Sequence, residues 1–441
     1  MSDTKAESHG ELDKSLGPLM IWGLGVGYVI SGEYFGWNLG LAEGGPYGML
    51  VATLIVTFMY LCFTLSYAEL ACALPGAGGA YVYGREAYGE RFGLTLGLAQ
   101  LIEFVFAPPA IAFAIGSYLQ SYFPSIPALN LAILAYIAFT GLNAWGVKLS
   151  AMFELVMTLF AVTELLIFCE VTLPEFQWAN FNHNPLPNGW WGVLPSLPFA
   201  IWFYLALEGV ANIAEEAKNP QRDISRGFIS ALSTLVVLAL LVFFSSIGVA
   251  GWEAVVYTDA SHSATSDSPL PLAIAHVVGE GHLLYHLLVT VGLFGLIASF
   301  HGIILVAGRA TMDFGREGYL PLVLGKVHPV RKTPINALMI NMLIGFAALL
   351  TGKTGEIITL ACFGALTLYA MSMLSLLKLR MSQPELHRPY QAPLYPIFPM
   401  IALILAVICL LSVSYYNLRI AGVYAVLLGG GYVLASLRRA S

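Results

Sequence analysis

The chain has 441 residues, 58% of them hydrophobic and only 10% charged, with 20 Lys and Arg against 26 Asp and Glu and a formal net charge of -6. A soluble globular domain carries roughly 25% charged residues, so the composition excludes that class and indicates a polytopic membrane protein. The acidic surplus falls in an outer loop and says nothing of nucleic acid, which is not an expected partner.

Residues 1–15 are polar and mixed in charge, without an apolar stretch or small-residue cleavage site, and read as a cytoplasmic tail rather than a secretory signal. A window of about 19 residues then finds twelve candidate spans in one transmembrane domain over 16–437. They fall near 16–43, 47–73, 92–122, 127–145, 150–173, 191–214, 227–250, 284–312, 334–351, 356–378, 393–415 and 418–437. Only 174–190 and 251–283 are long connections, and "SPLPLAIAHVVGEGHLLYH" in the second has the apolar spacing of a short helix lying across the outer face. With the N-terminus inside, every Lys and Arg except Lys353 and Arg419 falls on the cytoplasmic side, whereas Glu253, Asp259, Asp267 and Glu280 fall outside. The C-terminus is then cytoplasmic too. The cysteines, Cys62, Cys72, Cys169, Cys362 and Cys409, lie in or at the edge of spans without a CxxC spacing. No disulfide frame, metal site or cofactor is indicated.

Two spans differ from the rest. "VISGEYFGWN" in span 1 follows Gly23, Gly25 and Gly27 and carries Glu33, and span 6, "PSLPFAIWFYLALEGVANIAEE", carries two prolines, Glu208 and Gly209. Glycine alone is ordinary in membrane helices, where it lets them pack closely. A carboxylate in both interruptions argues for a site, because a charge at membrane depth costs about 2.5–3.5 kcal/mol on insertion scales and irregular backbone there is tolerated only in buried or water-lined places. Interruptions five spans apart point to a transporter of the inverted-repeat kind, with its ligand at the breaks.

Glu33, Glu103, Glu154, Glu164 and Glu208 lie well inside predicted spans while no Lys or Arg does, the nearest, Arg309, belonging to the cytoplasmic end of span 8, which favours a cationic ligand or protons. Glu154 and Glu164 are ten residues, about 15 Å, apart along a helix and also suit protonated structural donors. Gln100 and Glu103 are one turn apart and can face the same cavity. His282 and His286 have an i, i+4 spacing but no zincin glutamate and read as interfacial; Glu69 reads as structural. No HExxH, Gly-x-Gly-Asp or nucleophile–base pair occurs in the spans, so an enzyme is not indicated.

"LPGAGGAYVYGREAYGERFG" (74–93), "EEAKNPQRDISRG" (215–227) and "AGRATMDFGREGYLPLVLGKVHPVRKTPINAL" (307–338) resemble the loop signatures of the amino acid, polyamine and organocation transporter superfamily. Within it, "GYVISGEYFGWNLGL" looks like the first span of bacterial ethanolamine permeases. The resemblance implies an all-α membrane protein of the bacterial inner membrane with broken helices 1 and 6. Its core would be a five-plus-five inverted repeat, the first repeat at about 16–173 and the second at 191–378, with two additional helices at 393–437. It implies secondary active transport by alternating access.

The superfamily's Gly-Ser-Gly appears here as Ile30-Ser31-Gly32, followed by Glu33 where a small apolar residue is usual. Relatives that carry amino acids hold the substrate carboxylate on the amides of this break, which Glu33 would oppose. The expected substrate is therefore a small organic cation, ethanolamine first; putrescine, choline and an amino acid are the alternatives. The resemblance places Trp202 where arginine/agmatine exchangers cover their substrate with a tryptophan, and an ammonium over such a ring gains about 2 kcal/mol. It places Ser299 and His301 on the span that flanks the site, His301 being either a proton carrier or a satisfied core histidine. The span 5 lysine of some proton-linked relatives falls near Ala161 and is missing.

The substrate-binding set expected from these readings is Ser31, Gly32, Glu33, Tyr34, Gln100, Glu103, Phe199, Trp202, Tyr204, Glu208, Ser299 and His301. Glu33 and Glu208 are expected to flank one ligand, with Glu33 in recognition and Glu208 as the candidate for a coupling proton.

Overall fold

The computed structural model describes residues 16–75, 78–146, 151–259 and 261–440; the tail expected at 1–15 lies outside the described residues. Helix α1 (Pro18–Val29) opens with proline at its first position, where no intrahelical N–H is needed. It gives way at Ile30 to a single turn, α2 (Ser31–Tyr34), after which Phe35 is extended. Helix α3 (Leu39–Ala73) is kinked at Gly45, which has φ 63°. The following Pro46 lacks an N–H and disfavours helical geometry in the residue before it. A Cβ at Gly45 would stand 2.4 Å from Pro187 Cδ, so glycine serves both the turn and the packing of the 174–190 segment. The first two predicted spans are thus parted by a kink and not by a loop.

The chain continues through α4 (Ala80–Tyr88), α5 (Glu90–Gln120), α6 (Ala128–Trp145), α7 (Ala151–Thr172), α8 (Trp178–Phe181) and α9 (Val193–Trp202). Beyond α9 come a 3-10 stretch at Leu207–Glu216, α10 (Pro220–Ala250), α11 (Glu253–Val256), α12 (Pro269–Val278) and α13 (Leu283–Arg316). The last elements are α14 (Ile335–Leu349), α15 (Thr354–Ser382), α16 (Ile397–Tyr416) and α17 (Leu418–Ala440). The short helix read from "SPLPLAIAHVV" is α12.

Among the described residues the fold is all-helical, without strands, and ten helical stretches are long and apolar enough to cross a membrane. The expected first and ninth spans fall on α1 and α14, of 12 and 15 residues, shorter than the roughly 20 that a straight crossing needs. Helix α5 lies at the centre, packed on α15, α6, α4 and α13, while α1 packs on α10, α7 and α13. In its most apolar stretch α5 is 89% buried and α17 only 11%, which places the last helix at the periphery with its apolar side chains turned outward. A surface of that kind is what lipid covers.

At one end of α3, buried Glu69 receives Arg380 through two bonds of 2.7 and 2.8 Å, Arg388 at 3.2 Å and the Ala392 amide at 2.7 Å. This cluster ties α3 and α15 to the segment that leads into α16. A second tie, Glu90 with Arg439 and Tyr319, joins α5 and the connection after α13 to α17.

Candidate functional site at two helix breaks

The interruption after α1 touches the interruption after α9. A Cβ on Gly32 would stand 2.3 Å from the Trp202 carbonyl oxygen and 3.1 Å from Phe203 Cα, so only glycine lets the two backbones meet. On the α9 side, Ala206 has φ 75°, a left-handed conformation rare for a residue with a Cβ, directly before Leu207 and Glu208. Such strain persists only where the surroundings impose it. The other break is held by Asn38, whose side chain accepts from the Gly36 amide and donates to the carbonyls of Val255 and Ser266 in the 251–283 connection.

A small cavity of about 180 Å³, counting all space between atoms, lies at this contact and is lined by Tyr28, Val29, Ser31, Trp202 and apolar side chains of α5 and α13. Its open part has room for about one water. Ser31 Oγ lies 2.8 Å from Ser299 Oγ, and Ser299 donates to the Tyr28 carbonyl at 2.7 Å. Trp202 is buried, with its ring edge on Phe35 at 5.4 Å and its indole nitrogen beside Gly36 without a hydrogen-bond partner.

Glu33 is fully buried and, among the described residues, neither carboxyl oxygen has a hydrogen-bond partner. It does not line the cavity, although it stands two residues beyond Ser31. Tyr34 is engaged elsewhere, donating to Glu164 Oε2 at 2.6 Å and to the Ala161 carbonyl at 3.1 Å. Glu164 therefore acts as the acceptor that anchors α2 to α7. Glu154 lies against α1, with Oε1 2.7 Å from where a Gly27 Cβ would stand, beside Thr158, which bonds the Gly23 carbonyl.

Glu208, expected to flank one ligand with Glu33, has neighbours of its own on other helices. Glu208 neighbours Glu103 on α5, whose carboxyl oxygens find no donor among the described residues, and Tyr369 of α15 donates to Glu208 Oε2 at 3.1 Å. Tyr369 in turn bonds Tyr60 of α3 at 2.7 Å. A hydrogen bond between two carboxyl groups requires a proton on one of them, so Glu103, Glu208 and Tyr369 form a set able to hold a proton. Helix periodicity alone could not pair α5 with the α9 break; the tyrosines were missed because a Tyr in an apolar span carries no signal of its partner.

The remaining candidates disperse. Gln100, one turn from Glu103, has its side-chain nitrogen buried without a partner near Asn212 and Gly79. Tyr204 bonds Thr57 at 2.7 Å and packs on Tyr60, facing α3. Phe199 packs against Gly40 and Gly355, away from Ser31. His301 turns to α6, with Nδ1 3.1 Å from Asn143 Nδ2 and its ring edge toward Phe139. Two positions apart on a helix point to different sides, so Ser299 faces the break and His301 does not.

A multi-pass helical protein with touching breaks in two buried helices is the architecture of a transporter. Residues 16–427 match the amino acid permease family, and the chain belongs to it. It is 28% identical over 432 residues to an uncharacterized transporter of Rhizobium meliloti, covering 96% of this chain and 88% of that one. It is 24% identical to the branched-chain amino acid permease BcaP of Bacillus subtilis, over 95% of this chain and 92% of the permease. The methylthioribose transporter of the same organism is 26% identical over 88% of this chain and 85% of its own length.

Proposed function

We propose that the protein is a secondary active transporter that imports a small organic cation, ethanolamine first, by alternating access about the breaks of helices 1 and 6. The observation that carries this reading is Glu33: a carboxyl in the helix break, fully buried, with neither oxygen satisfied. A buried acceptor pair without a donor is costly, and an ammonium group supplies both charge and donors. The half-helix α1 also ends at this point, where carbonyls carry about half a negative charge.

In the proposed arrangement the chain has twelve spans in a bacterial inner membrane, both termini inside, and a core of two inverted five-helix repeats. The ammonium meets Glu33 and Ser31 under Trp202. Since the cavity has room for about one water in this conformation, entry needs the two breaks to separate. Glu208, with Glu103 and Tyr369, is the proposed place of a coupling proton.

A second reading has a specific support. BcaP carries branched-chain amino acids by its name, and an α-amino acid would offer the same ammonium. The two readings differ in the substrate carboxylate, which Glu33 should repel. Thermal unfolding of the purified protein with ethanolamine, putrescine, choline, serine, leucine and ethylene glycol separates them, because a ligand at one hundred times its dissociation constant stabilises by about 2.7 kcal/mol. Stabilisation by ethanolamine and not by serine or leucine supports the proposal; the reverse order replaces it with an amino acid permease.

A further inference from the structure

We infer that Ser299 sets the hydrogen-bonding polarity of the cavity, so that the site selects a head group bearing N–H donors and discriminates against a fully methylated ammonium. The inference rests on the amine reading above and names the feature of the amine that is recognised.

A serine hydroxyl has one proton. Ser299 gives its proton to the Tyr28 carbonyl, 2.7 Å away. The 2.8 Å contact between Ser299 and Ser31 can then be a hydrogen bond only if Ser31 is the donor. With that proton committed, Ser31 Oγ has only lone pairs left for the cavity that it lines. Both serines are buried, Ser31 3% and Ser299 0% exposed, so bulk solvent reaches neither hydroxyl.

The other polar groups at the break have the same sense. Val29 lines the cavity at the C-terminal end of α1, where the last carbonyls of a helix have no intrahelical donor, and the Tyr28 carbonyl beside it already accepts from Ser299. Glu33, two residues further on, offers two unsatisfied oxygens. The Trp202 indole N–H, a donor, lies beside Gly36 and Ile358. A primary ammonium presents three N–H groups to these acceptors, whereas a trimethylammonium presents none and keeps only its charge. Ser299 is thus a positioning residue: it acts through Ser31 and not by contact with the ligand.

The experiment measures binding of ethanolamine, its N-methyl and N,N-dimethyl derivatives and choline to the purified full-length protein by calorimetry. Wild type is expected to bind more weakly with each methyl group, choline at least about tenfold below ethanolamine, the loss of a hydrogen bond to a charged group. Ser299→Ala releases the Ser31 proton to turn into the cavity, and the ethanolamine-to-choline ratio should fall to within about threefold. Ser299→Thr keeps a hydroxyl and should keep the wild-type ratio. A packing role alone would weaken all four ligands together in Ser299→Ala and leave the ratio unchanged, which overturns the inference. If Ser299→Ala does not yield folded protein, Ser31→Ala decides in its place, because it deletes the acceptor and should reduce the same ratio. Amine binding without discrimination against choline in wild type overturns this inference alone; absence of any amine binding overturns the proposed function and this inference with it.

Discussion

Gly32→Ala tests whether the contact between the two breaks is needed for transport. The new Cβ would stand 2.3 Å from the Trp202 carbonyl oxygen, and real Cβ atoms essentially never approach closer than 3.0 Å, so the two backbones must part by about 0.7 Å. The obstacle is backbone on both sides, which cannot rotate away. Overpacking of this kind costs about 1–3 kcal/mol. The functional loss should be larger, since misplacing a site by about 1 Å can reduce turnover roughly a hundredfold. The assay is uptake of radiolabelled ethanolamine into proteoliposomes alongside thermal unfolding in detergent. Gly48→Ala is the control, because its nearest neighbour would be 3.6 Å away in ordinary contact, and it should change neither. Should Gly32→Ala transport at the wild-type rate with an unchanged unfolding temperature, the close approach of the breaks would have no part in the mechanism.

Trp202→Leu keeps apolar bulk and removes the ring, so ligand affinity should fall by about 1–2 kcal/mol, and normal binding would make the tryptophan packing alone. Tyr369→Phe deletes the donor to Glu208 Oε2 and should destabilise the fold by about 1–3 kcal/mol while altering the pH profile of uptake; an unchanged profile would separate this set from coupling. Arg380→Ala removes the two-bond partner of buried Glu69 but leaves Arg388 and the Ala392 amide, so stability should fall by about 1–3 kcal/mol, read by thermal unfolding. In the 251–283 connection, burial holds the Asp267 carboxyl up at about 6 despite a hydrogen bond from Thr354. The folded chain therefore retains a proton that the unfolded chain has lost, and this group makes stability fall as pH rises from about 4 to 6, by about 3 kcal/mol, and level off above. Asp267→Asn should flatten that fall and raise the unfolding temperature at pH 7; a lower one would show that the charged form is the stabilising one.

Much of this protein is legible along the chain because a membrane imposes simple rules. Apolar stretches of span length, the glycines before Ser31 and the prolines of span 6 located the helices and both interruptions, since breaks in helices at that depth need residues that tolerate them. Glu33 was equally visible, as a charge in an apolar stretch marks itself. What each acid faces was not. Helical spacing relates residues within one helix, whereas the meeting of Glu208 with Glu103 and Tyr369 joins three helices whose relative rotation is set by close packing. The same packing turned Ser299 to the break and His301, two residues on, to Asn143. It also tied the α2 tyrosine, Tyr34, to Glu164. Local sequence decided where the backbone could break; only the assembled helices decided which side chains meet at the break, because hydrogen-bond partners far apart in the chain are chosen by tertiary contact.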